Sequence, residues 1–128
     1  MPIRVVRLGD PRLAGEGLRI GTVRRPPRGV PKADFAARDF YDVWLPEVAP
    51  SEELLKLGQA AQDTDRWRAF TRRYRAEMKQ PGKAHVLDLL AALSRTASFS
   101  VGCYCVSEER CHRSILRELL LERGAVFS

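Results

Sequence analysis

The segment Phe99-Ser-Val-Gly-Cys-Tyr-Cys105, followed after five residues by Cys111-His112-Arg113, constrains the fold more than any other part of this chain. The first run alternates like a strand: Phe99, Val101, Cys103 and Cys105 share one face, and Ser100, Gly102 and Tyr104 the other. The second run opens a helix. His112, Ile115, Leu116, Leu119 and Leu120 recur at helical spacing, so His112 begins the buried stripe. A short polar turn, Ser107-Glu108-Glu109-Arg110, joins the two and is expected to be exposed. Strand, turn and helix in this order deliver reactive side chains to the strand's carboxyl end, where open α/β sheets bind their ligands. Free N–H groups at the helix start add partial positive charge, which favours thiolates and bound anions.

Other elements follow from local patterning. Residues 3–8 and 18–23 read as strands, and the gap between them is too short for a helical crossover, so a long hairpin or an irregular loop is expected. Three prolines and a glycine exclude regular structure from Arg24-Arg-Pro-Pro-Arg-Gly-Val-Pro-Lys32. A short helix is predicted over 33–39 and a third extended segment over 40–45. Ser51 can cap a helix whose first turn holds Glu52 and Glu53. Asp63 or Thr64 can cap a longer one, with Trp67, Phe70, Tyr74 and Met78 facing inward and Pro81-Gly82 ending it. A further helix is predicted from Ala84 to Ser94, with Val86, Leu87, Leu90 and Leu93 inward. The last runs over 111–123 and is closed by Gly124.

This order predicts one α/β domain spanning 1–128, with a small, mostly parallel sheet covered by helices in a Rossmann-like three-layer arrangement. At 128 residues the chain is about one domain and can bury a core without metal or disulfide staples. No signal peptide or membrane span is expected. Three cysteines without an export signal point to free thiols in a reducing cytoplasm.

Charge narrows the ligand class. The net charge of +6 is uneven: residues 1–40 carry nine Lys/Arg against four Asp/Glu, and residues 41–64 carry one against five. Basic segments flanking an acidic one suggest an anionic ligand, either a phosphate-bearing small molecule or a nucleic acid. Arg25, Arg28 and Lys32, with Arg24, form a candidate anion-binding loop whose prolines restrict its shape. Arg113 adds charge at the helix start. Arg68, Arg72, Arg75 and Lys79 fall on one helical stripe, the surface for the alternative of a non-catalytic nucleic-acid-binding protein. Asp42 and Glu47 are better placed as cap or ion-pair partners than as acid–base groups, and Trp44 and Trp67 as core or groove walls.

Cys105 and Cys111-His112 can form a thiolate–imidazole pair, with Cys111 and His112 the candidate catalytic residues; the alternative is a small residue on a buried strand and a histidine bonded to a strand-end carbonyl. A tyrosine-phosphatase pattern fails, because the position six after Cys103 is Glu109 and six after Cys105 is Cys111. No metal site is expected: the C-x-C…C-H spacing lacks paired C-x-x-C knuckles, and adjacent residues on one helix point about a third of a turn apart. No obligatory cofactor is expected either, since neither Gly-x-Gly-x-x-Gly nor a P-loop is present.

Several motifs together resemble the domain of unknown function 488 family, in its YeaO-like branch. They are Gly17-x-Arg19, Arg25-x-Pro27-Arg28-Gly29-x-x-Lys32, Asp42-x-Trp44-x-x-Glu47-x-x-Pro50-Ser51, Phe70-x-x-Arg73-Tyr74-x-x-Glu77 and Cys111-His112-Arg113. The resemblance covers nearly the whole length. It implies a bacterial protein and brings no substrate or mechanism with it. Pro26 stands where the family loops usually carry Trp before Pro-Arg-Gly, and some related sequences carry another residue in place of Cys111.

Overall fold

The structure, a computed structural model, describes residues 2–60, 63–105 and 111–128. Its centre is a four-stranded sheet formed by β1 (Ile3–Arg7), β2 (Leu18–Gly21), β3 (Val43–Trp44) and β4 (Phe99–Cys103) in the order β1-β4-β2-β3. Every pairing is parallel, with Ile3 and Leu18 both opposite Phe99 and Ile20 opposite Val43. A small, mostly parallel sheet was the expectation, and β4 and β2 take its inner positions. All five residues of β4 are buried, Val101 and Cys103 among them. The expected exposed turn at 106–110 lies outside the described residues.

The two faces of this sheet are chemically different. Ile3, Ile20, Phe99 and Val101 point toward α1 (Glu52–Ala60), α2 (Thr64–Glu77), α3 (Pro81–Leu93) and α4 (His112–Glu122), against Phe70, Tyr74, Leu87, Leu116 and Leu120. The other face carries Arg19, Gly21, Ser100 and Gly102, and connecting segments cover it instead of helices. A Cβ on Gly21 would run into the ring of Tyr41, so the missing side chain is what lets this layer close down. Helices, sheet and connecting segments thus make three layers.

The β1–β2 connection is not a hairpin, because β4 lies between those strands and all three are parallel. Residues 8–17 cross over β4 irregularly, and a buried ion pair pins the crossing. Arg19 Nε and Nη2 donate to the two Glu16 carboxylate oxygens at 2.8 and 2.9 Å. Arg19 Nη1 donates to the Asp10 and Asp39 carbonyls, and Ser100 Oγ to Glu16. Neither charged side chain exposes more than 2% of its surface. Asp42 takes the structural part expected of it, accepting the Arg19 backbone N–H and a two-point contact from Arg12.

The helices begin with the expected chemistry and differ at their ends. Asp63 accepts the Arg66 N–H and caps α2, and Ser51 Oγ accepts the Leu54 N–H ahead of α1. Pro81 starts α3 and does not terminate α2, which ends at Glu77. A proline at the first helical position loses no intrahelical bond, so the signal that reads as a stop is a start. Leu93 is exposed, not inward. The predicted 33–39 helix is reduced to a 3-10 turn at Lys32–Asp34, and the 40–45 strand to two residues at the sheet edge. Among the described residues no helix is long and apolar enough to cross a membrane.

Burial pushes the Glu16 carboxyl up, but hydrogen bonds from Arg19, Ser100 and the Leu13 N–H, with the Arg19 charge, outweigh it and hold the group at about 2, below its ordinary 4.5. Because the folded value is depressed, this stabilisation is complete above about pH 4.5 and disappears as pH falls toward 2. Glu16→Ala leaves Arg19 charged and buried. It should lower unfolding stability by about 3–5 kcal/mol in a urea titration and flatten the acid limb of the stability profile.

Candidate functional site

The carboxyl ends of β2 and β4 open onto a cleft of about 810 Å³. The segment after β2 supplies one wall with Val23, Arg25, Pro27 and Arg28. Leu55 and Lys56 of α1 stand on another side, and Cys103, Tyr104, Cys105 and His112 line the cleft from the end of β4 and the start of α4. Parallel strands bring this about: all four point the same way, so every following loop emerges at one edge.

The proline-rich wall is tied down at several points. Arg24 Nε donates to the Pro50 carbonyl and its Nη2 to the Ala49 carbonyl, both at 3.0 Å. Tyr104 Oη donates to the Arg25 carbonyl at 2.8 Å, joining the wall to the end of β4. Trp44 Nε1 donates to the Val23 carbonyl. Arg25 pairs with Glu52 at 3.1 Å, where both side chains are more than half exposed. Arg28 lies exposed on the cleft.

Deeper in, Cys103, Cys111 and His112 come together, all buried, with their ligand atoms within 4.8 Å of one another. The sequence argument that Cys111 and His112 diverge assumes that both are helical. Cys111 is instead the cap residue of α4, with φ −124° and ψ 148°, so its side chain leaves from an extended backbone and meets the first helical residue. Its Sγ is 2.8 Å from Cys103 Sγ and 3.9 Å from His112 Nδ1. His112 Nε2 stands 2.8 Å from the Thr22 carbonyl, which can only accept, so Nε2 carries the proton and Nδ1 of the neutral ring keeps its lone pair toward Cys111. The Tyr74 ring holds the imidazole edge-on at 5.9 Å between centroids.

Of the residues singled out in the sequence, Arg25, Arg28 and His112 share the cleft. Cys111 lies behind it, buried against Cys103. Lys32 sits in the 3-10 turn and does not line it. Arg113 is buried beneath the floor, donating to the Val6 and Cys105 carbonyls at 2.8 Å each, and among the described residues no carboxylate pairs with it. Its Nε has no partner among them. Arg75, central to the basic stripe on α2, is engaged by Glu118 and Glu122 at 2.8 and 3.0 Å.

The sequence singled out Cys105 beside Cys111-His112, but strand parity placed it on the face of Cys103. The strand ends at Cys103, the chain turns, and Cys105 becomes exposed on the cleft while Cys103 stays inside. The three thiols then differ electrostatically. Hydrogen bonds from its two neighbours, and behind them the Arg113 charge, draw Cys105 well below the ordinary thiol range despite partial burial. Cys103, the donor in that arrangement, is pushed up, and burial pushes it the same way.

A family model, that of the active DUF488-N3 subclade, matches residues 3–124, which takes in the whole sheet, the cleft wall and α4. The chain belongs to the DUF488 family. Neither the curated proteins nor the solved structures include a significant match.

In reduced, chelator-treated protein Cys105 should alkylate nearly as fast at about pH 6 as at about pH 8, because it is already thiolate across that range. Peptide mapping after iodoacetamide should place the fast label on Cys105, and Cys105→Ser should remove it. A rate that climbs tenfold per pH unit would mean an ordinary thiol.

Proposed function

We propose that this protein binds a small molecule carrying a phosphate-like anionic group and an apolar body, and that the thiol–imidazole cluster at the cleft floor is the part that reacts with it. The observation carrying this reading is that Arg25 and Arg28 open onto the same cleft as His112 and Cys105. Arginine forks suit oxyanions, and the Arg24 bonds to Ala49 and Pro50 hold their loop in shape before any ligand arrives. Val23, Pro27, Phe40 and Leu55 give the remaining wall an apolar character suited to the rest of such a molecule.

In this reading Arg28 and Arg25 hold the anion. His112, on the cleft, and Cys111, just behind it, act together, the Nδ1 lone pair taking a thiol proton while Nε2 stays anchored to Thr22. Arg113 serves the site from within: its buried charge favours the thiolate form of the cysteines around it. A subclade described as active accords with a reacting floor. A cluster of three free thiols suits the reducing cytoplasm. Nucleic acid is the weaker reading, since Arg75 in the basic stripe is already held by two glutamates.

The test is a thermal-shift screen of inorganic phosphate, sulfate and nucleotides, followed by titration of any compound that raises the melting temperature. Arg28→Ala should weaken such a compound by roughly 10- to 100-fold, as expected for one charge-assisted contact. His112→Ala should weaken it as well, while Arg123→Ala, which removes the surface pair with Asp88, leaves it unchanged. A compound indifferent to Arg28→Ala binds elsewhere and removes the main support for this reading.

A further inference from the structure

We infer that Cys103, Cys111 and His112 form a site for a zinc-class divalent ion whose fourth coordination position opens toward the cleft. The proposal shares its location with the proposed function and rests on separate observations. Two thiols and one imidazole, all buried, present two Sγ atoms and a ring nitrogen within 4.8 Å of one another. Soft sulfur ligands with imidazole select zinc among common divalent ions, and three protein ligands with one open position is the arrangement of catalytic zinc sites.

The imidazole is oriented for this work. A metal-binding histidine almost always donates its other ring N–H to a carbonyl or carboxylate, which fixes the tautomer and aims the free lone pair. His112 makes that bond to the Thr22 carbonyl, leaving Nδ1 turned toward the sulfurs. A second observation comes from the charge. Arg113 is 4% exposed, has no carboxylate partner among the described residues and leaves its Nε unpartnered. The ion and its two thiolates together carry no net charge, so the site can fill beside this buried cation without adding to its repulsion.

The required movement is on the order of 1 Å. Tetrahedral zinc holds two sulfurs about 3.8 Å apart and a sulfur and a nitrogen about 3.6 Å apart. The Cys103 and Cys111 sulfurs, at 2.8 Å, would separate by about 1 Å, and Cys111 Sγ and His112 Nδ1, at 3.9 Å, would close by a few tenths. Cys111 sits outside the helix and His112 at its first turn, so the change falls on side-chain torsions. Cys103 and His112 both line the cleft, which sets the direction of the open position. Binding takes the protons from both thiols and releases them to solvent, so affinity should rise with pH.

Titrating the reduced, chelator-treated full chain with cobalt(II) should develop a thiolate charge-transfer band and the visible absorption of four-coordinate cobalt, saturating at one ion per chain and reversed by zinc. Cys111→Ser and His112→Gln should each weaken binding by more than ~100-fold, exceeding the loss typical of an outer-shell change. Cys105→Ser and Arg28→Ala should leave the spectrum in place. Should a ligand variant lose its fold, the wild-type protein is read instead: one equivalent of zinc should protect Cys103 and Cys111 from alkylation and leave Cys105 open. No cobalt spectrum, a spectrum indifferent to Cys111→Ser and His112→Gln, or protection confined to Cys105 overturns the proposal. Anion binding that persists in protein without metal affinity would sink this inference and spare the proposed function, and metal binding without any anion response would do the reverse.

Discussion

The buried contact between Glu16 and Arg19 is what allows a parallel sheet to form here without a helix between its first two strands. Consecutive parallel strands of one sheet ordinarily need a long crossover, and helices usually supply it because they satisfy their own backbone. Residues 8–17 do neither. Their polar groups are gathered by one guanidinium, which holds the Glu16 carboxylate and two main-chain carbonyls from separate segments. Burying two charges gains little net stability, but separating them is expensive, so the pair acts as a lock on one path of the chain.

That lock has consequences at the opposite end of the strands. With β1 and β2 both docked on β4, a strand buried at every position, the ends of β2 and β4 are held side by side. The Thr22 carbonyl then lies where His112 can reach it, and the Val6 carbonyl where Arg113 can. The site is assembled by strand order, with the helix start added last. Its electrostatics follow the same logic. One buried arginine without a carboxylate partner among the described residues faces two buried sulfurs and one exposed on the cleft, and the exposed one is the most acidic.

Much of this could be read from residue order. The central strand, the buried stripe of α4, the Asp63 cap and the absence of regular structure around Pro26-Pro27 all follow from spacing and local chemistry. The errors share a cause, namely features whose meaning depends on a boundary. Pro81 marks a helix start only once α2 has already stopped. Cys111 turns toward His112 only because the helix begins one residue after it, and Cys105 turns outward only because the strand ends two residues before it. Periodicity locates elements well and their ends poorly, and this site is built from ends. Arg113 was legible as a charge, but its targets are carbonyls in β1 and after β4, which no local pattern encodes.

A common grammar links the long polar side chains of this molecule. Arg19, Arg24, Arg113, His112 and Tyr74 each reach across the fold to main-chain oxygens of residues 10, 39, 49, 50, 6, 105, 22 and 48. The donors are particular side chains, whereas the acceptors are peptide groups that every residue possesses. Mutation can therefore remove a donor in one step, while most substitutions at an acceptor position leave the bond available. The frame of the cleft thus tolerates sequence drift unequally. Its walls can change residue type, and with it the shape of what they admit, while the few grasping side chains keep those walls where they are.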